Sequence, residues 1–156
     1  MIEIRPVQFA DLPALVDIER AATLAGAPQA YADTEFPLAQ HLKATEAEFR
    51  DPWITFTLAE DEQGVCGWIK YTEDQLRYVV VADRMRETDL LDELYGEGLR
   101  HWKTGAVPRV WLWVIAEDWQ SRAYFETHGW LPTQRTRRSA LAPHPVLAEY
   151  LLTLPI

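Results

Sequence analysis

The sequence predicts a mixed α/β domain, a central sheet with helices on both faces, and three observations predict it. Two apolar stretches, Trp53–Ala59 and Gly67–Thr72, flank a polar turn at Asp61–Gly64, as in a β-hairpin. An apolar run, Leu76–Val81, leads directly into an amphipathic stretch from about Asp89 to Trp102, so a strand feeds a helix. The run continues with a buried-type strand, Val110–Ile115, and another helical stretch, Ser121–His128. That order, hairpin then strand, helix, strand, helix, strand, is a layered α/β pattern. A chain of 156 residues with 48% apolar content and seven Trp can fill one core, so residues 1–156 read as a single domain.

The elements follow in order. Ile2–Arg5 reads as a first strand. Asp11 is placed to cap a helix running to about Ala22, with Leu12, Leu15, Val16 and Ile18 on one side and Pro13 tolerated in the first turn. Ala25–Phe36, with Gly26 and Pro28, reads as a loop. A second helix is expected over Pro37–Arg50, with Leu38, His41, Leu42 and Phe49 inward and Pro52 ending it. Gly105 and Pro108 punctuate the chain before Val110, and Gly129 stops the last helix. Two further strands are expected near Pro132–Leu141 and Glu149–Leu154. Trp111 and Trp113 fall on one face of their strand, as core or as an edge contact between protomers, so a homodimer is one expectation.

Composition excludes several functions. A net charge of −9 argues against nucleic acid as a partner, because phosphate binding needs a basic face. The cluster Arg135, Arg137 and Arg138 reads as a solvated strand face. No apolar run approaches the roughly 18 residues of a membrane span. The start, MIEIRPVQFADL, lacks the layout of a secretion signal, so a cytoplasmic protein is expected. One cysteine, Cys66, rules out an internal disulfide and a multi-cysteine metal site, and reads as a buried thiol. The four His (41, 101, 128, 144) show no metal or triad spacing, so no metal is expected.

The junction at Val81–Leu94, VADRMRETDLLDEL, carries the functional question. A strand entering a helix N-terminus is a ready anion site, because free N–H groups and the helix dipole point there. Glycines usually let a pyrophosphate approach such a backbone; here Glu87 and Asp89 stand instead. They suit the helix, accepting from its free N–H groups for roughly 0.3–1 kcal/mol each. They also oppose an anion: at about 5 Å and an effective dielectric of about 20, each charge pair costs on the order of 3 kcal/mol. Arg84 and Arg86 offset this or pair with Glu87 and Asp89.

The chain resembles the GCN5-related N-acetyltransferase (GNAT) superfamily over nearly its whole length. The resemblance rests on IRPVQFADLPALVDIE, TLAEDEQGVCGWIKY, the junction above and DWQSRAYFETHGW, in that order. It implies a GNAT acyl-CoA N-acyltransferase fold, a mixed and mostly antiparallel sheet flanked by helices. It implies acetyl-CoA as co-substrate and a small-molecule or peptide amine as acceptor. The family pattern Val-x-Pro, two residues, Arg-Gly-x-Gly-x-Gly, then Leu falls on Val81, Asp83, Arg86, Glu87, Thr88, Asp89, Leu90, Leu91 and Leu94. Arg86 matches, and the three glycines and the proline are replaced. The resemblance thus implies coenzyme contacts at Val79, Val81, Arg86, Glu87, Thr88, Asp89 and Asp118, where Asp118 stands for the family's Asn.

The family's Tyr, which in many members protonates the leaving thiolate, falls on Phe125, which has no proton to give. Tyr124 sits about 100° round the helix and His128 three residues on, so these two are the candidate catalytic groups. The acceptor is expected between the Ala25–Phe36 loop and the sheet, where Asp33 and Glu35 suit a cationic amine. Two functions follow: an N-acetyltransferase with weak or altered coenzyme A use, or a non-catalytic binding protein that keeps the fold.

Overall fold

The structure, a computed structural model, describes residues 1–155. Strand β1 (Glu3–Pro6) leads through a short 3-10 turn at Phe9–Asp11 into helix α1 (Leu12–Gly26). A second 3-10 turn, Pro28–Tyr31, precedes α2 (Leu38–Phe49). Strands β2 (Thr55–Asp61), β3 (Gly64–Tyr71) and β4 (Gln75–Val81) form a meander. Then come α3 (Leu90–Thr104), β5 (Arg109–Ile115), α4 (Trp119–Thr127), β6 (Leu131–Arg138) and β7 (Val146–Thr153). Among the described residues these make one seven-stranded sheet, ordered β1-β2-β3-β4-β5-β7-β6. The β4–β5 pair is parallel and the others are antiparallel, so the expected mixed, mostly antiparallel sheet is what the chain forms. No helix among the described residues is long and apolar enough to cross a membrane.

Two apolar layers hold the sheet. On one face α3 buries Leu90, Leu94, Tyr95, Gly98 and Trp102 against β3, β5 and β7. On the other, α1 buries Leu12 and Leu15 against Phe56, Leu58, Trp68 and Val80. The three fully buried indoles each have an acceptor for their N–H. Trp68 Nε1 donates to Leu15 O at 3.0 Å, Trp102 Nε1 to Thr72 O at 2.9 Å, and Trp130 Nε1 to Tyr95 Oη at 2.9 Å. Cys66 is buried, as expected, and burial pushes its thiol pKa up.

Several boundaries differ from expectation. Asp11 does not cap α1. Its carboxylate turns back to accept from Gln8 N at 2.7 Å and from both terminal nitrogens of Arg5, because a charge-assisted fork is stronger than one capping bond. Helix α1 runs on to Gly26, absorbing the start of the expected loop, since Ala21, Ala22 and Ala25 are good helix formers. The hairpin's first strand begins at Thr55, and Trp53 is 78% exposed before it. Within α2, His41 and Leu42 face inward as expected, but Leu38 is exposed. His41 Nδ1 lies 3.1 Å from Glu19 Oε2. Helix α4 ends as expected at Gly129, whose φ of +92° favours glycine.

Trp111 and Trp113 share a face, but β5 lies between β4 and β7, so they are not on a sheet edge. Arg135, Arg137 and Arg138 are exposed, as expected of a solvated strand face, and the Arg137 guanidinium also lies over Trp113, 4.3 Å from its ring. Arg138 donates to His144 O.

Candidate functional site

The site arises where two strands part. Strands β4 and β5 pair at Gln75–Trp111 and Leu76–Leu112. Past Leu76 they diverge, and β4 carries Val79, Val80 and Val81 along the wall of a cavity of about 890 Å³. That volume suits a small-molecule ligand. The small residues Ala21, Ala22, Ala25 and Gly26 of α1 line one side. Asp118 and the α4 residues Gln120, Ser121, Ala123, Tyr124, Phe125 and Thr127, with His128 just beyond the helix, line the other. Ala82, Asp83, Arg86 and Leu91 close the end toward α3.

Helices α1 and α4 meet at Gly26. A Cβ there would sit 2.7 Å from Asp118 Oδ2, so any side chain displaces the carboxylate. Asp118 is held in that position because it caps α4. Its Oδ1 accepts from Ser121 N at 3.1 Å, and its Oδ2 accepts from the Ser121 hydroxyl at 2.7 Å. The capping residue and the cavity wall are thus the same side chain.

Of the expected site residues, Val79, Val81, Arg86, Asp118, Tyr124 and His128 all line the cavity. Glu87, Thr88 and Asp89 lie in the turn before α3, outside that lining. Asp33 and Glu35 are exposed and also outside it. The carboxylates do not cap α3. Helix α3 starts at Leu90, so Glu87 sits too early, and the Thr88 hydroxyl accepts from Leu90 N at 3.3 Å in their place. The arginines do not pair with Glu87 or Asp89 either. Arg84 pairs with Asp61, which the β2–β3 hairpin brings beside it, and Arg86 with Asp83 at 2.6 Å across the 3-10 turn at Asp83–Met85.

A cluster that local sequence patterns do not reveal joins α3 to α4. The Tyr124 hydroxyl donates to Asp92 Oδ1 at 2.6 Å. Burial and that carboxylate together push the Tyr124 phenol well above its usual range. His128 Nδ1 is 2.8 Å from Tyr124 O, and a carbonyl only accepts, so the Nδ1 carries the proton. The other ring nitrogen, Nε2, stands 3.6 Å from Asp92 Oδ1, too far for a hydrogen bond but close enough for charge balance. Asp92 is 32 residues from Tyr124, so no spacing rule could have found it. Phe125 is buried in the core and also touches the cavity. Among the described residues no group of three His, Cys, Asp or Glu is arranged to hold a metal ion.

The strand order, the parting of β4 from β5 and the helices on both faces are those of the GNAT fold. Three of the solved structures that the chain is similar to are acetyltransferases. One is an acetyltransferase of the GNAT family from Staphylococcus aureus (14% identity, 99% of each chain, TM-score 0.72). Another is the ribosomal-protein-alanine N-acetyltransferase from Brucella melitensis (22% identity, 97% of this chain and 99% of that one, TM-score 0.67). The third is the PaiA N-acetyltransferase from Thermoplasma acidophilum in complex with coenzyme A (14% identity, 96% and 98%, TM-score 0.64). Comparison with protein-family models and with curated proteins finds no match. At these identities the likeness establishes the fold.

Proposed function

We propose that this protein is an N-acyltransferase that takes an acyl group from a coenzyme A thioester and passes it to an amine. The observation that carries the reading is the cavity at the β4–β5 parting, walled by Val79–Val81 and bearing Tyr124 and His128 on its far side. The residues present fit the arm of such a thioester: the walls are largely apolar, and a strand that has left its neighbour has backbone groups to offer an amide chain. When bound, the thioester supplies an activated acyl carbon. Transfer forms a C–N bond and breaks a C–S bond; the amine gives up one proton and the thiolate takes one.

The chain's own groups can manage those protons. With Nδ1–H fixed on Tyr124 O, Nε2 is the His128 ring position that can exchange a proton with substrate. Asp92 stands beside that nitrogen and balances the charge it acquires. Tyr124 has a single proton and donates it to Asp92, so it orients the carboxylate and presents its oxygen lone pairs to neighbouring groups. Asp17, Asp83 and Asp118 around the cavity suit an amine that arrives as a cation.

The test is calorimetric unfolding with and without millimolar acetyl-CoA, followed by thiol release over a panel of primary amines. Ligand at about 100 times its dissociation constant adds about 2.7 kcal/mol of stability. We expect an upward shift and amine-dependent thiol release that falls in His128→Asn. Thiol release that is the same with and without every amine would rule the reading out.

One feature favours a second reading, a non-catalytic binding protein. The position where the fold's acid is expected holds Phe125, and the neighbouring Tyr124 proton is committed to Asp92. Ligand stabilisation without any amine-dependent release would be its signature.

A further inference from the structure

The cavity's end toward α3 has little to offer a phosphate. Arg86 is the one arginine in the lining, and its guanidinium pairs with Asp83. Arg84 next to it is held by Asp61 in a two-bond fork. The turn also uses three of its own N–H groups: Met85 N donates to Ala82 O, Arg86 N to Asp83 O and Thr88 N to Met85 O. Leu90 N, the first of the helix, is taken by the Thr88 hydroxyl. Glu87 and Asp89 stand exposed at this mouth. Anions are held at helix starts by free N–H groups and unpaired cations; here both nearby arginines are paired, and two carboxylates stand among the N–H groups that remain. The apolar wall of Ala22, Val79, Val81 and Leu91 takes no part in these pairings.

We infer that the site takes its acyl donor by an uncharged, pantetheine-type thioester arm and draws no affinity from a diphosphate. The inference rests on the acyltransferase reading and names its donor class: a phosphate-free thioester serves as well as coenzyme A. It follows that the diphosphate end stays in solvent, where Glu87 and Asp89 oppose it and salt screens them.

The test is calorimetric titration of the whole protein with S-acetylpantetheine and with acetyl-CoA, each at about 50 and about 300 mM salt. We expect the two dissociation constants to agree within about tenfold, and acetyl-CoA binding to tighten with salt while S-acetylpantetheine binding does not change. The variant Glu87→Gln with Asp89→Asn, both exposed and outside the core, should bind acetyl-CoA several-fold more tightly and S-acetylpantetheine unchanged. A preference for acetyl-CoA of more than about tenfold that weakens with salt overturns the inference and leaves the acyltransferase reading standing. Failure of both thioesters to bind at millimolar concentration overturns both.

Discussion

The two ends of α3 are built on different principles. At its C-terminal half, Tyr95, Gly98 and Trp102 are buried, and the Trp102 and Trp130 rings meet edge to face at 6.3 Å. Each indole N–H there has an acceptor, so the polar atoms are satisfied inside an apolar layer. At the N-terminal end several groups that could bind a ligand are used locally, by the Thr88 hydroxyl, the 83–88 turn and the Arg86–Asp83 pair. One end of the helix is specified by shape and the other by charge and hydrogen bonding. Substitutions at the first should therefore cost stability, and those at the second should change ligand preference.

The largest effect should come from Trp102→Ala. Loss of a fully buried indole costs about 3–5 kcal/mol, read as a fall in the urea midpoint. A loss under about 1 kcal/mol would mean that this end is not the anchor of the core. Gly26→Ala comes next, about 1–3 kcal/mol, because its Cβ meets the Asp118 carboxylate at 2.7 Å. Its cost should couple to Asp118→Ala by more than about 0.5 kcal/mol in a double-mutant cycle, and additivity would show that the contact does not matter.

Thr88→Ala should cost about 1 kcal/mol, the usual value of a lost N-terminal cap. Glu87→Gln should cost less than about 0.5 kcal/mol, as exposed surface changes do. Equal losses would contradict the assignment of the cap to Thr88.

A pH experiment sharpens the α3–α4 contact. The folded state raises the Tyr124 phenol above the usual phenol value of about 10, through burial and the Asp92 carboxylate. A group raised in this way contributes stability that is present below pH 10 and is lost as pH rises through its folded value. Alkaline unfolding should therefore flatten in Tyr124→Phe, which at neutral pH loses about 1 kcal/mol with the Asp92 hydrogen bond. The opposite case is Asp11, held below the usual carboxylate range by the Arg5 fork, which contributes stability lost as pH falls below about 4. Asp11→Asn should remove part of the acid slope of unfolding.

Much of the fold was legible in the chain because its signals are local. The hairpin from Thr55 to Tyr71, the β4–α3 junction and the glycine stop at Gly129 each follow from periodicity and turn chemistry within a few residues. The site was legible in part. Val79, Val81, Arg86, Asp118, Tyr124 and His128 came together on one cavity because a strand and a helix of the expected kinds meet there. Asp92 was not legible, and neither was the stripe of Ala21, Ala22 and Ala25 that walls the cavity. Small residues on a helix read as propensity until the facing helix is known.

Alternation and helical spacing in the sequence determined which stretches became strands and helices and which sides they buried, because burial of an apolar face is decided residue by residue along each element. Partner choice was decided only by the tertiary structure. Asp11 left its cap for Arg5, Arg86 took Asp83, and Tyr124 took Asp92. Polar groups bind whichever complementary atom folding brings within about 3 Å, and sequence distance does not encode that.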